Sequence, residues 1–284
     1  MDQSGTHSIH RLSQSTLHRQ SGINAERRAA KRNMIVLAQL DGRPEIFHSI
    51  QGEGISIGVP SVFVRCSGCN LQCHWCDTEY TWNWEGTSYR HAKDRPGRPA
   101  KFDRKAVQIR LAPEETAEIV RQSRCTNVVF TGGEPMLQQR PLAELASILQ
   151  ADNLEYEFEV ETNGTVVPIE PFASLITRFN VSPKLSNSGL PEALRICTEA
   201  LGILVQSPKS TFKFVCANDA DIEEIAALVD KMRIPQRRIL LMPEAIDNPT
   251  LEQRRPWLVE VCKRRGWRFT DRLHIGIYGE RRGV

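Results

Sequence analysis

From about residue 44 onward the chain alternates short apolar runs of strand length with longer runs whose apolar residues recur at helical spacing, and this pattern restricts the fold more than any other feature. EIFHSI (45–50) and SVFVRC (61–66) read as strands, PEETAEIVRQS as a helix with a proline-led, acid-first start, and TNVVF as a buried strand ending in TGGEP. PLAELASILQA, PEALRICTEALGIL, DIEEIAALVDKM and NPTLEQRRPWLVEVCKRRG read as helices, the last in spite of Pro256. In DIEEIAALVDKM, Ile222, Ile225, Ala226 and Val229 share one face. EYEFEVET, FNVSPK, TFKFVC, RRILLMPE and a final LHIGIYG read as strands. Strands joined through helices imply right-handed crossovers and a parallel sheet. About six such units, two short of the eight that close a full barrel, predict an α/β fold of the partial, open (β/α) barrel type. Its chemistry is expected in loops at the C-terminal ends of the strands.

The chain has 284 residues, 40% of them apolar, enough for one large core. No apolar run approaches the roughly 18 residues that span a bilayer, and no continuous apolar block of a secretion signal opens the sequence. A cytoplasmic location is therefore expected, where thiols stay reduced and clustered cysteines serve metal or redox chemistry. The net charge is +3, but residues 1–33 carry +4 and the remainder −1, so the charge pattern gives no footprint for a nucleic-acid backbone. That basic segment, rich in Ser, Gln, His and Arg, reads as a disordered tail, with 34–284 as the folded domain. Its Arg- and Ser-rich, acid-poor composition is also that of an organellar transit peptide, but a flexible extension or an over-long start is the better reading. Residues 83–112, polar and broken by Pro96, Gly97 and Pro99, read as an insertion or lid rather than core.

Four of the eight cysteines, Cys66, Cys69, Cys73 and Cys76, fall within RCSGCNLQCHWC. Read as two CxxC pairs they resemble a zinc site, yet zinc ribbons separate their pairs by about 12 to 20 residues so that two loops embrace one ion. Read as Cys69-x3-Cys73-x2-Cys76, the segment is a loop of three thiolates able to hold three irons of a 4Fe-4S cube and to leave the fourth iron open. Cys66, at a strand end, reads as a packed thiol, and Cys125, Cys197, Cys216 and Cys262 as core filling.

The CxxxCxxC loop after a first strand, Trp75 just before the third cysteine, and the glycine-rich GGEP at 132–135 resemble the radical S-adenosylmethionine enzymes. The flanking FHSIQGEG, FVRCSGC, CDTEYTW, TGGEP, ETNGT and VSPK narrow this to a resemblance to the 7-carboxy-7-deazaguanine synthase family, covering about residue 44 to the end. The resemblance implies a lyase of 7-deazapurine (queuosine) biosynthesis that converts 6-carboxy-5,6,7,8-tetrahydropterin to 7-carboxy-7-deazaguanine with loss of ammonia. Its cofactors would be a 4Fe-4S cluster on Cys69, Cys73 and Cys76, S-adenosylmethionine, and magnesium held by Thr78. The 5′-deoxyadenosyl radical would take hydrogen from carbon 6 of the pterin and return it later.

The same resemblance places Trp75, Cys76, Asp77, Gly133, Glu134, Ser182, Pro183 and Lys184 at the S-adenosylmethionine site. It places Ile50, Gln51, Gly52, Arg65, Thr131 and Val284 at the substrate. Gly52 and Gly54 would let backbone amides approach a flat heterocycle, Gln51 would supply donor and acceptor, and Arg65 would grip a carboxylate as a planar fork. Glu161, Thr162 and Asn163 are candidates for the ribose, with a strand-exit turn as an equal reading at Asn163-Gly164. Lys213 and His274 are inward candidates for which structural pairing is as good a reading. The partners implied are the small pterin, an electron donor such as flavodoxin or ferredoxin, and a second copy in a homodimer, with no membrane and no direct nucleic-acid contact. Two rivals keep part of the pattern: an activase that installs a glycyl radical, which leaves IQGEG and Arg65 without purpose, and a zinc-stabilised RNA-binding module.

Overall fold

Six consecutive parallel pairings, from Pro60–Cys66 to Arg268–Phe269, build the centre of the molecule, and every strand in them except the two-residue edge at Arg268–Phe269 comes from a run legible as a strand. The computed structural model describes residues 33–97 and 100–284, so the reading of 1–33 as a basic tail lies, apart from Asn33, outside the described residues. Residues Ile35–Val284 form one unit. Strand β1 is Ile35–Leu40, β2 Arg43–Pro44, β3 Ile46–Ile50 and β4 Pro60–Cys66. After a short helix α1 (Arg104–Val107) come β5 (Gln108–Leu111), α2 (Pro113–Gln122), β6 (Asn127–Gly132), α3 (Gln139–Asp152) and β7 (Glu157–Thr162). Then follow α4 (Phe172–Leu175), β8 (Arg178–Val181), α5 (Glu192–Arg195), α6 (Thr198–Gln206), β9 (Ser210–Cys216), α7 (Asp219–Met232) and β10 (Ile239–Pro243). The chain finishes with α8 (Asn248–Arg265), β11 (Arg268–Phe269) and α9 (Leu273–Tyr278).

The sheet order is β11-β10-β9-β8-β7-β6-β4-β1-β2, with β3 on β4 and β5 on β1. From β4 through β6 to β11 every pairing is parallel, whereas β1, β2, β3 and β5 join antiparallel. The two ends of the sheet do not pair, and the architecture is a partial, open (β/α) barrel, as the alternation predicts. All seven residues of β9 and all five of β10 are buried, the pattern of strands covered on both faces. Helices pack their apolar stripes on one face: Ala117 and Val120 from α2, Leu142, Leu145 and Leu149 from α3, and Ile222, Ile225 and Val229 from α7 join the same core as Val64, Phe130, Phe158 and Phe212.

Three expectations are corrected. LHIGIYG is not a strand but helix α9; strand alternation would bury Ile275 and Ile277 alike, yet Ile275 is 5% exposed and Ile277 54%. PEALRICTEALGIL is two helices, because Arg195 turns inward, 7% exposed, and its guanidinium donates to the carbonyls of Leu190 and Lys184 while pairing with Glu224. Within 83–112, which the composition sets apart from the core, residues 108–111 form a strand on β1, Ile35↔Leu111 through Ala38↔Gln108. Strand β1 itself, IVLAQL, precedes the point where the sequence alternation begins to be clear. Helix α8 does run through Pro256, capped by Asp247 accepting from the Thr250 N–H at 2.8 Å and ended by Gly266 at φ 68°.

Candidate functional site

Parallel strands deliver their C-terminal ends to one edge of the sheet, and there a cavity of about 360 Å³ opens. Its walls come from the exits of β3, β4, β6, β7, β8, β9 and β10, from the loop after β4, from α9 and from residues 280–284. Cys69, Cys73 and Cys76 line it; Cys66 does not, and is 0% exposed at the end of β4. Burial pushes the Cys66 thiol up to about 12. Burial also raises Cys69, Cys73 (to about 12) and Cys76, with Glu134, the neighbouring thiols or Asp77 adding to it, while Lys184 opposes the rise at Cys73. One buried and two half-buried thiols on one wall are poor anions until a cation joins them, which is the chemistry of a metal-ligating set. Among the described residues no three His, Cys, Asp or Glu side chains converge to hold a single ion. An iron-sulfur cube asks something different, since each thiolate takes its own corner and the three need only face one space.

Backbone contact fixes that loop. Gly133 N–H donates to the Cys66 carbonyl at 2.9 Å and Glu134 N–H to the Gly68 carbonyl at 2.9 Å, so β6 and the loop run against each other. A Cβ on Gly133 would stand 2.1 Å from the Gly68 oxygen, and Gly132, at φ 112°, would place one 2.1 Å from the Cys66 oxygen. Trp75 donates its indole N–H to the Asn187 carbonyl at 2.9 Å, and Lys184 lies over its ring at 5.7 Å while donating to Ser182 Oγ at 3.0 Å. Thr78 lines the cavity with its Oγ1 3.6 Å from Cys76 Sγ. Beside it Glu79 is 3% exposed, pairs with Lys93 at 3.1 Å through one oxygen and leaves Oε2 buried without a partner. A hydroxyl and an orphaned carboxylate oxygen are the hard donors that suit magnesium.

The opposite wall is a network of charges. Glu53 is hydrogen-bonded to Lys213, meets Arg272 Nε at 3.1 Å, and has His274 Nε2 3.9 Å away. Arg272 also joins Asp77 and the Ala245 carbonyl. Burial alone would raise the Glu53 carboxyl, but Lys213, then Arg272 and His274, override it and hold it well below the usual carboxylate range. At Asp77 burial is likewise overcome by Arg272, and the carboxyl is lowered. Burial lowers His274, against the pull of Glu53.

Gln51 is 1% exposed and spends both amide hydrogens on carboxylates, Glu159 at 3.1 Å and Glu161 at 3.2 Å, while its oxygen accepts from Glu53 N–H at 3.1 Å. It therefore has an acceptor lone pair to offer a ligand and no donor, a correction to the reading of it as both. Thr131 Oγ1 donates to Glu161 Oε2 at 2.6 Å. Arg65 donates Nε–H to Glu45 Oε1 at 3.1 Å and lies over Phe47 at 5.6 Å, its two terminal amino groups meeting no other partner among the described residues. Glu45 is the hub here, since Tyr80 OH (3.1 Å) and Arg282 (2.7 Å) donate to it as well. Val284 and Ile50 line the cavity, and so do Glu161, Thr162 and Asn163.

Other expected site residues stand elsewhere. Glu134 does not line the cavity: its carboxylate is wholly buried and accepts from Met136 N–H (3.0 Å), Thr162 Oγ1 (2.8 Å) and Asn163 N–H (2.7 Å), three bonds that tie it into the wall. Pro183 is buried behind the wall that Ser182 and Lys184 form. Gly54, at φ 76°, abuts Asn180 rather than the cavity, and Gly52 makes room for His274, whose Nδ1 would lie 2.3 Å from an added Cβ. Sequence reasoning missed Glu53, Arg272, Glu45 and Glu79 as site residues. Glu53 and Glu79 sit inside motifs already quoted, but Arg272 and Glu45 carry no local signal, because partners more than a hundred residues away, or on another strand, give them their roles.

Residues 63–233 match the Radical SAM superfamily. A 7-carboxy-7-deazaguanine synthase of Pyrobaculum aerophilum is 37% identical over 243 residues, 84% of this chain and 95% of that protein. Another, from Halobacterium salinarum, is 32% identical over 257 residues, 83% of this chain and 90% of that one. The crystal structure of QueE from Escherichia coli is similar with a TM-score of 0.59 at 25% identity, covering 85% of this chain and 95% of that one.

Proposed function

This chain belongs to the radical SAM superfamily and, within it, to the 7-carboxy-7-deazaguanine synthase family, and from that membership we propose that it converts 6-carboxy-5,6,7,8-tetrahydropterin to 7-carboxy-7-deazaguanine with release of ammonia. It is a lyase of 7-deazapurine biosynthesis whose family works with a 4Fe-4S cluster, S-adenosylmethionine and magnesium. The observation that carries the reading is that Cys69, Cys73 and Cys76 line one cavity with Arg65, Thr131 and Lys184 while Cys66 is sealed away from it.

In this reading Cys69, Cys73 and Cys76 hold three irons of the cluster. When bound, cluster and S-adenosylmethionine supply one-electron cleavage of a sulfonium and, through it, removal of hydrogen from an unactivated carbon. The protein's part is placement and shielding. Trp75, Asp77, Gly133, Ser182 and Lys184 surround S-adenosylmethionine, with Lys184 suited to a carboxylate. Glu134 and Pro183 serve that wall from behind, Glu134 by fixing the turn at Thr162 and Asn163. Ile50, Gln51, Gly52, Arg65, Thr131 and Val284 surround the pterin. Arg65, oriented by Glu45, offers both terminal amino groups to the substrate carboxylate. Thr78 holds magnesium, with Glu79 Oε2 within its neighbourhood as a further anionic oxygen.

The single-electron chemistry calls for a small donor such as flavodoxin or ferredoxin, and we place the enzyme in the cytosol as a homodimer. Its eight cysteines are all free thiols, in keeping with a reducing compartment, and no helix among the described residues is long and apolar enough to cross a membrane. The test is anaerobic iron and sulfide analysis, followed by incubation with the carboxylated pterin, S-adenosylmethionine and a reductant. Deazaguanine product by mass spectrometry supports the reading. Iron without product assigns the fold to another radical reaction, and a colourless zinc protein removes the cluster.

A further inference from the structure

Residues 83–97 and 100–103 stand outside the strand and helix alternation, yet they are tied to the thiol loop at several points. Trp82, at the mouth of this segment, is 3% exposed and donates its indole N–H to Cys76 Sγ at 3.3 Å. An indole has one donor, so its whole hydrogen-bonding capacity goes to that sulfur. His91, also 3% exposed, accepts the Lys93 N–H on Nδ1 at 3.2 Å. That bond assigns the proton to Nε2, which lies 2.8 Å from the Cys76 carbonyl oxygen and donates to it. The rings of Tyr89 and His91 meet Trp82 edge-on, at 5.9 and 6.1 Å. Ala92 N–H donates to the His74 carbonyl at 2.8 Å, and Asp94 holds the turn by accepting from His91 N–H at 3.0 Å and Ala100 N–H at 2.8 Å.

We propose that Trp82 and His91 are positioning residues for Cys76, and that the Trp82 N–H raises the reduction potential of the cluster which this cysteine helps to hold. The inference rests on the reading of Cys69, Cys73 and Cys76 as cluster ligands. Its physics is direct. Reduction adds negative charge to the cluster and its sulfurs, a donor aimed at a thiolate stabilises the more negative state, and so the couple shifts toward reduction. His91 acts one bond further back, fixing the peptide that carries the ligand. Cys69 receives a backbone N–H from its own loop, Leu71 at 3.4 Å, whereas Cys76 Sγ has two side-chain neighbours, the Trp82 indole N–H at 3.3 Å and the Thr78 hydroxyl at 3.6 Å, of which the indole can only donate.

Trp82→Phe keeps the ring and deletes the donor. Reconstituted anaerobically, it is expected to carry wild-type iron and sulfide, with the reduction equilibrium constant of its cluster about tenfold lower in an EPR-monitored redox titration, a midpoint about 59 mV more negative for a one-electron couple. His91→Ala is expected to lose its visible cluster absorption in air several-fold faster than wild type. His91→Gln, whose amide can replace the Nε2 donor, should restore the wild-type rate. An unchanged midpoint in Trp82→Phe, or a His91→Gln that decays like His91→Ala, overturns the proposal. If Trp82→Phe takes up no cluster, thermal unfolding of the metal-free chain decides: unaltered unfolding supports a role at the ligand, and a lowered midpoint makes Trp82 a packing residue and overturns it. Absence of a cluster from the wild type would instead sink the underlying functional reading.

Discussion

Cys66 and Cys73 carry thiols that burial pushes to the same value, about 12, yet one faces the cavity and the other the core. Acidity therefore cannot tell ligand from filler; position does. Cys73→Ala is expected to abolish the broad absorption near about 410 nm and all turnover, whereas Cys66→Ala keeps both at reduced stability, and equal loss in the two variants would show the chosen register to be wrong. Glu53 makes a different point. It offsets Lys213 and Arg272, both buried, so Glu53→Gln should destabilise the metal-free chain by about 3–5 kcal/mol at neutral pH. Because its folded-state pKa is depressed, that stabilisation is complete above the ordinary carboxylate value of 4.5 and fades as pH falls below it. Denaturant unfolding should accordingly give a gap between wild type and variant that is about 2 kcal/mol smaller at pH 3 than at pH 7. At this scale the sequence told most where chemistry needs neighbours in sequence, as in the thiol loop, and least where it needs partners from afar, as with Arg272.

Among the elements, α9 shows how a pattern can mislead. Its Ile275-Gly276-Ile277 spacing imitates a strand, but Gly52, on the exit of β3, accepts the Leu273 N–H at 2.9 Å and leaves space for the first turn of a helix. No local rule could reveal this, since the partner lies some two hundred residues upstream. Gly52→Ala would drive a methyl into His274 and push α9 from the cavity wall. The expected result is a cluster content like wild type with KM for the pterin raised about tenfold and kcat less affected, a factor worth about 1.4 kcal/mol of binding. An unchanged KM would mean that α9 takes no part in holding the substrate. The helices α2, α3 and α7, by contrast, were readable from their stripes, because a helix that lies on a sheet must bury one face whatever the rest of the molecule does.

For the molecule as a whole, the alternation of strands and helices was enough to foretell an open barrel and the edge that holds its site, because handed crossovers leave few topologies to choose from. What alternation could not foretell is the antiparallel flank of β1, β2, β3 and β5, whose strands pair through hairpins and a return from the 83–112 segment. We expect the functional unit to be 34–284: a chain lacking residues 1–33 should incorporate iron and turn over like the full protein, and a truncated chain that loses iron would assign the leading segment a part in the site. The facing main chains of Gly133 and Gly68 have a further consequence, for heritable drift. With an oxygen 2.1 Å from where a methyl would go, no descendant can gain a side chain at 133 unless its 66–69 segment is displaced in the same lineage. Substitutions in these two separate stretches must therefore be accepted together or not at all.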